Sequence, residues 1–217
     1  MRKIAIIFFF FSSFLFAQND STFVDNKYLE DQVYFSLTYV RLMNTPEQIS
    51  QNGFSFGLGL GIIKDLPINK RRNIGFGIGL GYGFNTYYFS IDDRENLPPE
   101  INDLLKNNKV TTNNIEIPVE FRIRTSTSQK YKFWRVYPGV KFSYAFATYS
   151  SLKNKSPLEN KIIEINKFQY GVTLSTGYNK WNLHVYYGLD ELFNETIENS
   201  FKIDIHDFRI GLIFYIL

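Results

Sequence analysis

The sequence predicts an all-β protein: an eight-stranded antiparallel β-barrel that crosses the bacterial outer membrane. Three observations point there. Eight segments alternate apolar and polar residues with period two, the signature of strands whose two faces meet different surroundings. In two of them the face opposite the apolar one is almost entirely glycine, which cannot be the packed core of a soluble sandwich, so the apolar face must look outward. The connections also alternate short and long, the plan of an outer-membrane barrel with an even strand number and both termini in the periplasm.

Residues 1–17 read as a secretory signal: basic Arg2 and Lys3, an apolar run from Ile4 to Phe16 broken only by Ser12 and Ser13, then Ala17 before Gln18, where cleavage is expected. Leu15 stands where a small residue is usual. The apolar run is too short for a transmembrane helix, which takes about 20 residues. A polar tail covers 18–30 and the barrel 31–217. The chain has no cysteine, so no disulfide staples the exported domain.

The first strand carries Val33, Phe35, Leu37 and Tyr39 on one face. The second sets Phe54, Phe56, Leu58, Leu60 and Ile62 against Gly57, Gly59 and Gly61; the third sets Ile74, Phe76, Ile78, Leu80, Tyr82 and Phe84 against five glycines from Gly75 to Gly83. The fourth opposes Ile115, Ile117, Val119, Phe121 and Ile123 to Glu116, Glu120, Arg122 and Arg124. The fifth opposes Trp134, Val136, Val140, Phe142, Tyr144 and Phe146 to Arg135, Lys141 and Ser143. In the sixth, Phe168, Tyr170, Val172 and Leu174 face away from Gln169, Thr173 and Ser175; in the seventh, Trp181, Leu183, Val185 and Tyr187 face away from Asn182, His184 and Tyr186. The eighth ends the chain with Phe208, Ile210, Leu212, Phe214 and Ile216.

Short links are expected at Asp65 to Asn73, Ser126 to Lys132 and Asn179 to Lys180, and long loops at Asn44 to Asn52, Asp92 to Thr112, Ser150 to Glu164 and Asp190 to Ser200. Pro118 and Pro138 fall inside strands that have no free edge, and a bulge is expected at each. A further bulge is expected near His206 and Asp207, where the alternation breaks between Ile205 and Phe208. Tyr and Trp favour membrane interfaces, and they fall at strand ends here. Trp134 and Trp181 mark the periplasmic girdle; Tyr88 and Tyr187, with Tyr39 and Tyr144, mark the other.

Aromatic residues make up 18% of the chain, while the mean hydropathy is only −0.19, as alternating faces require. The formal charge of +3 falls to +1 when Arg2 and Lys3 leave with the leader, which gives no basic excess for nucleic acid. An eight-stranded interior is just wide enough to be filled by side chains, so a general porin is not expected. The glycine faces leave room for long charged groups, and an interior ion-pair network of Glu116, Glu120, Arg122, Arg124, Arg135 and Lys141 is expected, with Glu120 near Lys141. The plainer reading is that these charges satisfy one another and plug the lumen.

No catalytic, metal or cofactor site is expected. His184 faces inward and is read as a hydrogen-bonded lumen residue; neither it nor His206 has metal-ligand spacing, and the alternating glycines precede no helix that would make a phosphate loop. The acidic residues Asp92, Asp93, Glu95, Glu100 and Asp103 are read as solvated loop positions. A lipocalin-like soluble barrel would need a polar outside and an apolar inside, the reverse of this pattern.

Three stretches resemble one family: DQVYFSLTYVRLMNTPEQISQNGFSFGLGLG from Asp31, GFNTYY from Gly83 to Tyr88, and IEIPVEFRIRTSTSQKYKFWRVYPG from Ile115 to Gly139. They are similar to the PorT family of outer-membrane barrels associated with type IX protein secretion and gliding motility, and the similarity runs from Asp31 to the C-terminus. Ile216 and Pro138 depart from the pattern. The resemblance implies a non-catalytic component of a protein-export machinery whose partners are membrane lipid and other outer-membrane or periplasmic secretion proteins, with no small-molecule substrate. The alternative from another class is a small structural or adhesive barrel that binds a surface ligand through its extracellular loops.

Overall fold

The computed structural model describes residues 31–47, 49–91, 108–125, 133–150, 165–193 and 204–216. Nine strands form in order: β1 Gln32–Met43, β2 Ile49–Ser50, β3 Phe56–Pro67, β4 Ile74–Ile91, β5 Asn108–Arg124, β6 Trp134–Ser150, β7 Phe168–Tyr178, β8 Trp181–Gly188 and β9 His206–Ile216. All but the two-residue β2 join in one ring, each strand antiparallel to its sequence neighbours, with β9 returning to β1. The barrel is therefore closed, eight-stranded and up-and-down. Closure removes every free edge, the condition a sheet must meet in hydrocarbon.

Alternation determines the two surfaces. Outward positions are apolar and exposed on every wall, among them Leu37, Leu60, Leu80, Ile117, Phe142, Val172, Leu183 and Ile210. Inward positions are buried, and they are glycine, polar or charged except for apolar groups such as Ile63 and Ile213. An apolar exposed belt of this extent has hydrocarbon as its natural solvent.

Several boundaries differ from those the sequence suggests. The second predicted strand begins at Phe56, leaving Phe54 outside it, and runs on to Pro67, so Asp65 is a lumen residue and not the start of a turn. Alternation accounts for this: Asp65 continues the inward series Gly57, Gly59, Gly61, Ile63. β4 and β5 extend further toward the long-loop end than expected, since Phe89 still pairs with Asn108. The Asn44 to Asn52 loop folds back, with Ile49 and Ser50 pairing with Ile91 and Ser90 of β4. The central parts of the other long loops, and residues 1–30, lie outside the described residues.

The prolines act differently from the bulges expected of them. Register is unchanged on either side of both, but Cα pairing lapses: Gly79 and Leu80 have no partners opposite Ile117 and Pro118, and Phe121 and Arg122 have none opposite Tyr137 and Pro138. A proline has no N–H to give a ladder, so the ladder opens locally instead of slipping. The register shift between β5 and β6 falls where Asn113 pairs with Ala147 and Asn114 with Ala145, so the extra residue is Phe146 of β6. No shift occurs at His206 and Asp207 either, where β9 pairs with β1 without interruption from Met43 to Val33. The broken alternation there arises because Ile205 is an apolar residue that points inward, with 0% exposure.

The glycine stripe of β4 makes the interior possible. A Cβ placed on Gly77 would lie 2.5 Å from Nε of Arg122, and one on Gly83 would lie 2.5 Å from Oε1 of Glu116. The long charged groups of β5 thus lie over the bare backbone of β4. Gly77→Val is expected to push Arg122 out of its contacts and to lower unfolding stability by about 2 kcal/mol or more, measured as the urea midpoint in lipid vesicles. Leu80→Val, on the lipid face of the same strand, serves as the neutral control.

Candidate functional site

The lumen holds nine buried charged residues among those described: Asp65, Glu116, Glu120, Asp207, Arg122, Arg124, Arg135, Lys141 and Arg209. Eight of them form two clusters, stacked along the barrel axis, and Arg135 lies apart over aromatic rings. Nearer the short-turn end, Arg124 grips Asp65 with both terminal nitrogens, at 2.9 and 2.7 Å, and donates through Nε to the Arg72 carbonyl at 2.8 Å. Arg122 donates to Asp65 at 3.3 Å, to Glu120 at 3.1 Å and to Gln32 at 3.2 Å, and Tyr215 donates to the other Glu120 oxygen at 2.9 Å. The guanidinium of Arg122 also lies over the Tyr137 ring. Strands β1, β3, β5 and β9 are thereby tied together through side chains.

In the second cluster Lys141 pairs with Glu116 at 3.1 Å, and Arg209 reaches Glu116 at 3.8 Å. Arg209 pairs with Asp207 at 2.5 Å and donates to Asn85 at 2.8 Å and to Tyr87 at 3.3 Å; Tyr87 in turn donates to Asp207 at 2.9 Å. Lys141 and Arg209 both lie over the Tyr186 ring. Two cavities of about 10 and 20 Å³ border Glu116, Lys141 and His184. Each has space for roughly one water molecule, so this part of the lumen is packed and does not form a conduit.

Above the ions sits an apolar cap. Val40, Leu42, Ile49, Tyr87, Phe89, Val110, Ile165, Leu192, Phe193 and Ile205 form one buried cluster. Backbone hydrogen bonds join the loop segments that bring these residues in: Asn166 N–H donates to the Leu192 carbonyl at 2.9 Å and Leu192 N–H to the Ile205 carbonyl at 2.8 Å. Gln51 ties the first loop to β1 by accepting from Leu42 N–H and donating to the Val40 carbonyl. The long-loop end therefore carries an ordered, apolar-centred platform.

All six charged residues singled out in the sequence face the lumen and are buried. The pairing differs from expectation: Lys141 takes Glu116, while Glu120 takes Arg122 and Tyr215. Arg135 lies over the rings of Phe133, Tyr137 and Tyr215, and its Nε and Nη1 have no hydrogen-bond partner. Asp65, Asp207 and Arg209 were missed as network members. The first was assigned to a turn and the second to a bulge, while strict odd-position parity along β3 and β9 would have found all three. Trp134 and Trp181 stand exposed at the short-turn ends of β6 and β8, packed on Tyr178 and Phe214. Tyr88 lies beneath Lys109, and Tyr187 stacks on His206, at the long-loop ends. Ala17 and Gln18 lie outside the described residues.

Ser175 Oγ and His184 Nδ1 meet at 2.8 Å, a nucleophile-to-base distance. Both are buried, and no carboxylate hydrogen-bonds the imidazole among the described residues. Hydrogen bonding within the lumen accounts for the pair. No group of three or more His, Asp or Glu is placed to hold a metal ion among the described residues.

A closed barrel with an apolar belt and a charged, filled lumen is the arrangement of small outer-membrane proteins. The model of the outer membrane protein beta-barrel domain family matches residues 16–194. The chain belongs to this family. As a member it is a protein of the bacterial outer membrane, and the belt described above faces lipid. The crystal structure of Ail, the attachment invasion locus protein of Yersinia pestis, is similar at 10% identity and a TM-score of 0.35, over 85% of this chain and 96% of that one. No curated protein matches the chain.

Breaking the first ion cluster tests its weight. Asp65→Ala leaves two buried guanidiniums short of their carboxylate and is expected to cost about 3–5 kcal/mol of unfolding stability. Adding Arg124→Met to Asp65→Leu should recover most of that loss. Denaturant titration of the vesicle-inserted barrel, followed by tryptophan fluorescence, would measure both.

Proposed function

We propose that this outer-membrane barrel is a non-catalytic component of a type IX-like protein-export machinery and acts through partner proteins. The observation that carries the reading is the filled lumen: two ion clusters and an apolar cap occupy the axis, which favours a role in which cargo does not pass through this barrel. Its work is then done by its rims and its lipid-facing wall. The assignment to export rests on the similarity of the segments Asp31–Gly61, Gly83–Tyr88 and Ile115–Gly139 to the PorT family. The interior polar groups serve structure in this reading, with no substrate and no cofactor.

A second reading has its own support. The loop platform built on Ile49, Ile165, Leu192, Phe193 and Ile205 is held by backbone hydrogen bonds and could present a fixed surface to an extracellular ligand. In that case the protein is a structural or adhesive barrel.

Deletion of the gene separates the two. The export reading expects cargo proteins to accumulate in the periplasm of the deletion strain, read by mass spectrometry of periplasm and medium; an unchanged secretome combined with reduced surface attachment would select the adhesive reading. In planar bilayers the purified barrel is expected to show no porin-like conductance steps.

A further inference from the structure

We infer that the short-turn rim is a docking surface for an acidic periplasmic protein segment, with the β3–β4 turn as its centre. The inference deepens the partner-based reading above, and it names the chemistry of one such partner.

The three short connections contain Lys70, Arg71, Arg72, Lys130, Lys132 and Lys180 and no acidic residue. In sequence, the long connections between β4 and β5 and between β8 and β9 are acidic in excess, with Asp92, Asp93 and Glu95 in the first and Asp190, Glu191 and Glu195 in the second, while the β6–β7 connection is basic in excess and Asp20, Asp25 and Glu30 precede β1. Lys130 and Lys132 lie outside the described residues and form no part of the site. Lys70, Arg71 and Lys180 are exposed. Asp31, an acidic residue of this same rim, is already taken by Lys64 at 2.5 Å.

The β3–β4 turn is rigidly built. Arg72 N–H donates to the Asn69 carbonyl at 3.0 Å, the Asn69 amide donates to Asn73 Oδ1 at 2.6 Å, and Ile74 N–H donates to Asn69 Oδ1 at 3.2 Å. Arg72 holds a left-handed φ of 55°, a conformation an arginine adopts at a cost, and its carbonyl is clamped from inside by Arg124 Nε. The lumen network thus fixes the backbone that carries three consecutive cations. A fixed turn backbone spares its own share of the ordering cost on binding, while the cationic side chains still lose rotamer freedom.

The circumference at this level argues for a protein and against lipid phosphate as the occupant. Outward positions at the short-turn ends of the strands are Leu66, Trp134, Tyr178, Trp181 and Ile216, which are apolar or aromatic, and the cationic exception, Lys64, is paired. A phosphate belt would be met by cations around that ring. Here they sit on the turn tips beyond it, facing the periplasm.

The test uses the full chain in nanodiscs of zwitterionic lipid and a short peptide alternating Glu and Gly as probe. Binding is expected to weaken with salt and to fall roughly tenfold or more in Lys70→Glu/Arg71→Glu. Lys109→Glu/Lys167→Glu, at the long-loop end, should bind as the parent does, and heat-dependent gel mobility checks that each variant is folded. Equal peptide affinity in the parent and the turn variant would overturn the inference, as would a turn variant that keeps peptide binding but loses affinity for vesicles containing anionic phospholipid. Secretion is scored separately. Lost peptide binding with an intact secretome upholds the docking surface and removes export as its purpose, whereas unchanged binding in a chain whose deletion blocks secretion removes the surface and leaves export standing.

Discussion

Everything in this structure depends on the rule that a polar group inside a bilayer finds its partner within the protein. For the backbone the rule is met by closure, β9 on β1 and β4 on β5, so that no strand offers an edge to hydrocarbon. For most of the lumen charges it is met by the ion clusters, while Arg135 rests on aromatic rings. Outward positions are then left free to be apolar, and the protein turns a soluble domain inside out: its charges are the core and its aliphatic residues are the surface.

The fold was readable because both faces of each strand obey a strict alternation and because glycine occupies one of them in β3 and β4. Even the strand count came from periodicity. Errors concentrated where one residue's chemistry argued against its parity. Asp65 looked like a turn residue because aspartate usually is one, yet its odd position places it opposite Arg124. Ile205 looked like a break in the pattern because an inward isoleucine is unusual in a polar lumen, yet an apolar cap begins there. Pro118 and Pro138 suggested bulges because one residue without an N–H disturbs a ladder, while the strands keep register across both.

Site membership was legible and site pairing was not. Parity tells which residues enter the lumen, but partner choice depends on how far across the barrel a side chain reaches. Lys141 pairs across from Pro118, midway between Glu116 and Glu120, and takes Glu116, while Arg122 and Tyr215 take Glu120. Similarly, the docking of three loop segments on one apolar cluster joins residues far apart in sequence, Ile49, Ile165 and Ile205 among them. Local pattern carries no information of that kind.

The wiring of the two ion clusters also bears on how the chain reaches this state. Arg209 on β9 is held by Asn85 and Tyr87 on β4, while Arg122 on β5 is held by Asp65 on β3 and Gln32 on β1. No single hairpin brings together all the partners of either guanidinium, although Arg209 keeps Asp207 and Arg122 keeps Glu120 on its own strand. A partly assembled sheet would leave each with part of its hydrogen bonding unmet in a hydrophobic medium. Closure therefore completes both clusters at once, and a barrel stalled short of it would hold its interior charges less fully compensated than the finished one.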